Sequence, residues 1–364
     1  MSAPVPVWLD CDPGHDDTFA ILLAAYHPGL KLLNISTVHG NASLDKTTNN
    51  ALSILTAIGK QHELTVYPGA AHALERAPIH APTDIHGESG LDGTDLLPRP
   101  QTAADRSVSA VDAMAAALRA TEPGTAYVVA TGGLTNVGAL FLKHPDLAAH
   151  IRGLSIMGGS LGGGFTPAVL GKVDGKERIG NFTPWAEFNI LIDPEAAASL
   201  FENPVLAAKT TLIPLDLTHL VLATQDVNEL LLYGPNAGVK EGRGKTDLRV
   251  MLVELLNFFA GTYSTDPQSR DAFGIVEGPP LHDPLAVAIA LIGTDWEIPF
   301  YDFDPKTAAG ERRHERFHVK VETEGSLEDA LKGAKTGQTI ATLLEPGAEG
   351  RADEANAKVL NGSK

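Results

Sequence analysis

The sequence has 364 residues, of which 43% are hydrophobic and 20% charged; this is ordinary globular composition and excludes a disordered chain. Its net charge of −17 argues against a surface that neutralises nucleic-acid phosphates or an anionic membrane, so we expect neither partner. The single cysteine, Cys11, excludes an intrachain disulfide, and the first residues lack a secretory-signal pattern. We therefore expect a cytoplasmic protein, and a nuclear location is also compatible with these features.

Apolar runs typical of buried strands alternate with runs of helical spacing. Strands are predicted over 5–9, 31–38, 64–67, 126–130 and 151–157. Helices are predicted over 17–27, 46–59, 108–121, 134–144 and 248–263. Continuous apolar strands are typical of parallel sheets that are covered on both faces. The pattern predicts an α/β fold, with a mostly parallel, doubly wound (Rossmann-like) central sheet flanked by helices.

We expect one domain over residues 1–364, with the informative motifs within about 5–295. Two Gly-rich stretches, 158–183 and 234–245, predict long loops, which in compact α/β domains are often functional or mobile. Residues 337–364 are expected to contain a short helix and a frayed C-terminal tail.

Four aspartates lie within eight residues directly after the first predicted strand: Asp10, Asp12, Asp16 and Asp17. Like charges this close are costly unless a cation or a ligand compensates them. All the candidate ligand atoms are oxygens, which favours a hard cation such as Ca²⁺ or Mg²⁺ over zinc. The segment therefore predicts a metal or polyol site.

Two other interpretations of this aspartate cluster are weaker. An aspartate can cap a helix and suit its macrodipole, but capping accounts for one or two of the four. The Asp-x-Asp motif of haloacid-dehalogenase-like phosphatases continues to Thr or Val, whereas Gly14 stands there in this sequence.

The segment 10–17 resembles the Asp-x-Asp-Pro-Gly-x-Asp-Asp motif of the inosine–uridine-preferring nucleoside hydrolase family. Further segments resemble motifs of the same family, and they occur in the family's order along the chain. These are Gly40-Asn41, His-Gly-Glu-Ser-Gly-Leu at 86–91, Thr-Gly-Gly-Leu-Thr-Asn at 131–136, Met-Gly-Gly at 157–159, Asn-Phe-Thr-Pro-Trp-Ala-Glu-Phe-Asn at 181–189 and Pro-Leu-His-Asp-Pro at 280–284.

The resemblance implies an N-ribohydrolase, which hydrolyses the N-glycosidic bond of ribonucleosides to ribose and free base in purine and pyrimidine salvage. It implies Ca²⁺ as cofactor, held by Asp12, Asp17, Asp283 and the backbone carbonyl of Thr131. It also implies that Asp12 is the general base for water, and Asp10 is expected to support the site. Asp283-Pro284 and Asp193-Pro194 both have the local form of a helix N-cap. Only the preceding His282 and the resemblance distinguish Asp283 as a metal ligand. For Asp193 we expect a helix cap.

Ribose recognition and leaving-group protonation are also implied. The residues implied to contact the ribose are Asp16, Asn41, Asn181, Glu187 and Asn189. His282 is the candidate acid for the leaving base, and His86 is expected to line the base pocket. For Tyr263, contact with the base and packing at a helix end remain alternatives.

The sequence departs from the family pattern in an insert over 160–180 and an extended segment over 264–279. Both would border the base, so the preferred base is left open. We also expect a homo-oligomer, a dimer or a tetramer. The alternative function is a non-catalytic ribonucleoside- or ribose-binding protein that keeps the calcium site.

Overall fold

The computed structural model describes residues 3–173, 175–235, 242–264, 275, 277–298, 316–344 and 358–359, with only the backbone for 262–264 and 358–359. The strands in these residues are β1 Val5–Cys11, β2 Leu30–Thr37, β3 Val66–Pro68, β4 Tyr127–Ala130, β5 Gly153–Met157, β6 Lys172–Val173, β7 Lys176–Glu177, β8 Thr210–Ile213, β9 Phe317–Val321, β10 Thr339–Leu343 and β11 Lys358–Val359. The helices are α1 His15–Tyr26, α2 Leu44–Ala57, α3 Thr83–His86, α4 Ala110–Arg119, α5 Thr135–Lys143, α6 Leu147–His150, α7 Phe188–Ile192, α8 Pro194–Glu202, α9 Pro204–Ala207, α10 Leu215–Thr218, α11 Gln225–Tyr233, α12 Asp247–Ser264, α13 Asp283–Ala288 and α14 Leu327–Leu331, with a 3₁₀ turn at Ile289–Leu291.

Within the described residues, seven strands form one sheet in the order β11-β8-β5-β4-β1-β2-β3, and the pairings within it are parallel. The chain builds β1, β2 and β3 outwards in one direction and then returns to build β4, β5 and β8 in the other. The predicted doubly wound sheet flanked by helices is thereby confirmed. The strand order reverses between β1 and β4, and ligands of such sheets bind in the crevice at that point.

Both faces of the sheet are buried, which is why its strands are continuously apolar. Val7 and Leu9 of β1 pack in a cluster with α1, α2 and α13, whereas Trp8 between them packs in a second cluster with α4, α5 and α8. Successive side chains of a strand point to opposite faces, so one apolar run supplies both cores.

The structure differs from the expectations mainly after residue 160. The Gly-rich stretch 158–183 contains the short antiparallel pair β6 and β7, and part of 234–245 lies outside the described residues. Within 337–364, β10 pairs antiparallel with β9, and β11 pairs with β8, so at these residues the structure differs from the expected frayed tail. A tail that pairs with earlier strands cannot be recognised from its own composition.

Asp193 caps α8, as expected, and also joins two neighbouring segments. One carboxylate oxygen accepts a hydrogen bond from the backbone N–H of Ala196 at 3.0 Å. The other accepts hydrogen bonds from the backbone N–H of Leu74 at 2.7 Å and the hydroxyl of Thr135 at 2.8 Å.

We expect Asp193→Ala to lower the free energy of unfolding by about 3 kcal/mol, because a cap is lost and two further donors lose their acceptor. Urea denaturation followed by circular dichroism measures this change. A loss below about 0.5 kcal/mol would show that water replaces the carboxylate at these three donors.

The described residues contain no helix that combines the length and the apolar character needed to cross a bilayer.

Candidate active site

A cleft opens at the carboxyl ends of the central strands. Its polar wall contains nine of the residues singled out in the sequence: Asp16, Asn41, His86, Thr131, Asn181, Glu187, Asn189, His282 and Asp283. Asp12 and Asp17 are fully buried next to this wall. The structure thus brings together segments that lie as far apart in the chain as residues 12 and 283.

Asp12 directly follows β1, and two other backbone segments come close to its carboxylate. Its Oδ2 accepts a hydrogen bond from the backbone N–H of Asn41 at 2.8 Å, while its Oδ1 is buried without a hydrogen-bond partner among the described residues. A Cβ at Gly40 or at Gly132 would lie within 2.4 Å of a carboxylate oxygen of Asp12. The two glycines therefore allow the backbone to close around this carboxylate.

Asp16, Asp17 and Asp283 form a buried carboxylate cluster in which one oxygen from each lies within 4.8 Å of the others. Burial and neighbouring carboxylates raise the pKa of Asp283 well above its usual range, and they raise that of Asp16 to about 7. Burial also raises the pKa of Asp17, against hydrogen bonds from Gly14 and Thr131.

These residues fit a hard cation. The cluster concentrates carboxylate oxygens at a buried place, and the unpartnered Oδ1 of Asp12 leaves a further oxygen free. A bound cation would compensate the repulsion and burial that raise the pKa values of these carboxyl groups. Asp16, which the resemblance implies to contact the ribose, lies in the carboxylate cluster with Asp17 and Asp283. Asp12, which the resemblance implies to be a metal ligand, is outside this group of three carboxylates.

Thr131 follows β4 and contacts two other site residues. Its hydroxyl donates to Asp17 Oδ1 at 2.8 Å, and its carbonyl oxygen accepts from Asn189 Nδ2 at 3.0 Å. Asn189 Nδ2 also lies 3.2 Å from the carbonyl oxygen of Met157, at the end of β5. Asn189 therefore ties the ends of β4 and β5 together at the cleft.

Glu187 is both a cleft residue and the N-cap of α7. It accepts hydrogen bonds from the backbone N–H groups of Asn189, Ile190 and Gly159 at 2.9–3.1 Å. Burial, opposed by these bonds, raises its pKa to about 7. Asn181 is fixed similarly, because its Oδ1 accepts from the backbone N–H of Phe188 at 2.9 Å.

His282 precedes α13, with its Nδ1 2.7 Å from the hydroxyl of Thr218. Burial and the neighbouring His219 lower the pKa of His282 well below its usual range, so the ring is neutral at pH 7. A neutral imidazole donates from one nitrogen only. When the Thr218 hydroxyl donates to Nδ1, the proton of His282 is on Nε2.

Asp283 differs from Asp193 despite the shared Asp-Pro sequence. The N-cap of α13 is His282, which leaves the carboxylate of Asp283 in the acidic cluster instead of on the helix end. Asp10, in turn, is fully buried, and its Oδ1 accepts hydrogen bonds from Ser36 and from Asn136 Nδ2. Asp10 therefore links β1, β2 and α5 beside Asp12.

The cleft is also lined by apolar side chains, which were not assigned from the sequence. They are Pro82, Ile85, Met157, Phe182, Phe188 and Phe259. Phe182 and Phe188 pack with ring centroids 5.2 Å apart. Aromatic residues are usually core residues in a sequence pattern, so only their neighbours here identify them as cleft residues. The side chain of Tyr263 and residues 265–274 lie outside the described part of the chain.

Comparison with known proteins identifies relatives of this site. The model of the inosine-uridine preferring nucleoside hydrolase family matches residues 7–363. The uridine nucleosidase of Saccharomyces cerevisiae is 41% identical over 85% of this chain and 80% of its own length. A pyrimidine-specific ribonucleoside hydrolase of Shewanella sp. strain MR-4 is 38% identical over 78% and 76%.

Among solved structures, the purine-preferring ribonucleoside hydrolase from Gardnerella vaginalis superimposes with a TM-score of 0.71. It is 26% identical, and the match covers 99% of this chain and 94% of that one. The match extends over nearly the whole chain in sequence and in structure. The protein is therefore a member of the inosine-uridine preferring nucleoside hydrolase family.

Proposed function

We propose that the cleft binds a pyrimidine ribonucleoside, with uridine preferred, and that the protein hydrolyses its N-glycosidic bond to ribose and free base. The observation that carries this proposal is a cleft lined by polar and acidic side chains together with apolar and aromatic ones. Membership of the family makes the protein an N-ribohydrolase. The preference for pyrimidines is supported by the names of the relatives that are 41% and 38% identical.

Calcium is the proposed cofactor, with Asp12, Asp17, Asp283 and the carbonyl oxygen of Thr131 as its ligands. Support comes from the all-oxygen donor set and from the unpartnered Oδ1 of Asp12. When bound, the cation lowers the pKa of a water molecule and compensates the negative charge of the cluster. Asp16, which lies in the same cluster, either adds a ligand oxygen for the cation or accepts a hydrogen bond from a ribose hydroxyl.

Asp12 is the proposed general base that accepts the proton of the attacking water. Its Oδ2 is held by one hydrogen bond from the backbone N–H of Asn41, and its Oδ1 has no hydrogen-bond partner among the described residues. Removing the proton makes the water a stronger nucleophile towards the anomeric carbon.

The ribose is proposed to bind to Asp16, Asn41, Asn181, Glu187 and Asn189. Carboxylate and amide oxygens accept hydrogen bonds from ribose hydroxyls, and amide groups also donate. Hydrogen bonds with the backbone hold Asn181, Glu187 and Asn189 in place before the substrate arrives. Negative charge around the sugar stabilises the cation-like ribosyl transition state more than the neutral nucleoside.

His282 is the proposed donor to the leaving base, and His86 is proposed to line the base pocket. We further propose a single domain over the chain, supported by the family match over 7–363, and a homo-oligomer, a dimer or tetramer. A cytoplasmic location is supported by the single, buried Cys11, which is compatible with a reducing compartment.

Release of ribose tests the function. We expect purified protein to release ribose from uridine faster than from inosine, and we expect a calcium chelator to abolish both activities. Tight ribose binding without turnover of any common ribonucleoside would instead favour the non-catalytic binding protein. Readdition of Ca²⁺ after chelation is the control that separates metal loss from damage to the protein.

Elemental analysis of purified protein tests the metal. We expect one calcium per chain without added salt, and Ca²⁺ should raise the melting temperature of the chelated protein, since a ligand of the folded state stabilises it. One zinc per chain with no calcium would contradict the proposed oxygen coordination.

A further inference from the structure

His15 contacts His86 but is not among the side chains that line the cleft. It is the fully buried first residue of α1, and its Nδ1 is 3.0 Å from the Nδ1 of His86. Its other ring nitrogen, Nε2, lies 2.8 Å from the backbone carbonyl oxygen of Asp92. None of the roles proposed above uses His15.

The carbonyl oxygen of Asp92 determines where the proton of His15 lies. A carbonyl oxygen only accepts hydrogen bonds, so Nε2 of His15 must carry the hydrogen. Well above the ordinary histidine pKa of about 6.5 the ring is neutral and has one proton, which leaves Nδ1 as an acceptor. The contact at 3.0 Å is then a hydrogen bond in which Nδ1 of His86 donates. Consequently, His86 has its proton on Nδ1 and an unshared electron pair on Nε2.

Stacked aromatic rings hold both histidines in this arrangement. The rings of Phe258 and Phe259 stack on His15 with centroids 5.2 and 5.6 Å away, and Phe259 also stacks on His86 at 5.4 Å. His86 lines the cleft, and its Nε2 has no partner among the residues that the structure describes. Nε2, the ring nitrogen of His86 that remains for a ligand in the cleft, is therefore a hydrogen-bond acceptor.

We infer that His15 is a positioning residue that holds His86 as a hydrogen-bond acceptor for an N–H or O–H group of the bound nucleoside. The inference rests on the proposed function, which places a ribonucleoside in the cleft. Two groups of uridine have this chemistry, the N3–H of the base and the 5′-hydroxyl of the ribose. His86 directly follows Ile85, an apolar residue that also lines the cleft. The Nδ1 of His86 and the Nδ2 of Asn41 both lie beside Gly14, each 2.8 Å from the position that a Cβ on this glycine would occupy.

Two substitutions separate positioning from packing. His15→Phe keeps an aromatic ring packed against Phe258 and Phe259 but removes the acceptor for His86 Nδ1. His86 then favours the tautomer with the proton on Nε2, because a buried N–H without an acceptor is costly. His15→Asn keeps an acceptor oxygen near the position of Nδ1 and should preserve the tautomer.

The experiment compares uridine with 3-methyluridine and 5′-deoxyuridine at pH 8. The wild type should show about 10-fold lower kcat/KM for the analogue that lacks the donor, the usual effect of one hydrogen bond. His15→Phe should reduce this ratio to within about twofold of unity, and His15→Asn should restore it. The analogue that is discriminated identifies the donor. Equal ratios in the wild type and His15→Phe, or no discrimination by the wild type, would overturn the inference.

The tautomer itself is measured by NMR of protein labelled with ¹⁵N-histidine, with the signals of His86 assigned by comparison with His86→Gln. We expect the proton of His86 on Nδ1 in the wild type, and a proton on Nε2 would overturn the inference. This measurement needs neither a folded His15 variant nor turnover. If the wild type hydrolyses no ribonucleoside, the proposed function fails, while the tautomer still decides the role of His15.

Discussion

Asp12→Asn is expected to lower kcat for uridine by a factor on the order of 10²–10⁴ or more, the usual range for a general base. The substitution keeps the shape of the side chain and its hydrogen bond from Asn41, but an amide cannot accept the proton of water. It also removes one negative charge from the proposed metal site. Steady-state kinetics at saturating Ca²⁺ measure the effect, with metal content determined on the same sample.

Asp193→Asn is the matched control for Asp12→Asn. Asp193 is also fully buried and also accepts backbone hydrogen bonds, but it is outside the cleft. We expect its kcat to stay near that of the wild type, while its free energy of unfolding falls. Near wild-type turnover of calcium-loaded Asp12→Asn would remove Asp12 from the role of base.

His282→Ala is expected to lower the rate of inosine hydrolysis by roughly 10²-fold or more, the usual scale for a positioned acid. A purine can leave after protonation of its imidazole ring, whereas a pyrimidine lacks this position, so uridine hydrolysis should fall far less. A nitrophenyl riboside should be largely spared, because its leaving group needs no proton. Its KM should change little, since the ribose contacts remain.

His150→Ala is a control for the loss of an imidazole. His150 lies at the end of α6, before β5, and thus at the opposite edge of the sheet from the cleft; its Nε2 is 2.9 Å from the carbonyl oxygen of Leu118. We expect its kinetic constants to match the wild type on all three substrates. If His282→Ala instead slows all three equally, the role of His282 is to position Asp283 and the metal.

The first half of the sheet could be predicted from the sequence because its strands are buried on both faces. Such strands appear as short, continuous apolar runs, and polar residues at their carboxyl ends mark the ligand side. The same reasoning missed β8, β9 and β10. β9 and β10 are defined by pairing with each other across a separation that local patterns do not encode.

The acidic cluster was predictable for a similar reason. Four aspartates within eight residues are too many for helix capping, so the sequence alone indicates a compensating cation or ligand. The resemblance to the family added residues such as Asn41, Glu187 and Asp283, and the structure places these three around one cleft. The double use of Glu187, as a cleft residue and as the cap of α7, was not visible in the sequence.

The sequence by itself determined the doubly wound sheet, the acidic segment after β1 and the family. Local sequence could not separate Asp193 from Asp283, which share the Asp-Pro context; the resemblance separated them, and the tertiary structure places Asp193 at the start of α8 and Asp283 in the carboxylate cluster. Likewise, 71 residues separate His15 from His86, and no local pattern reveals that their rings share a hydrogen bond. The physical reason is that periodicity and capping preferences are local, whereas the pairing of buried polar groups depends on which distant segments the fold brings into contact.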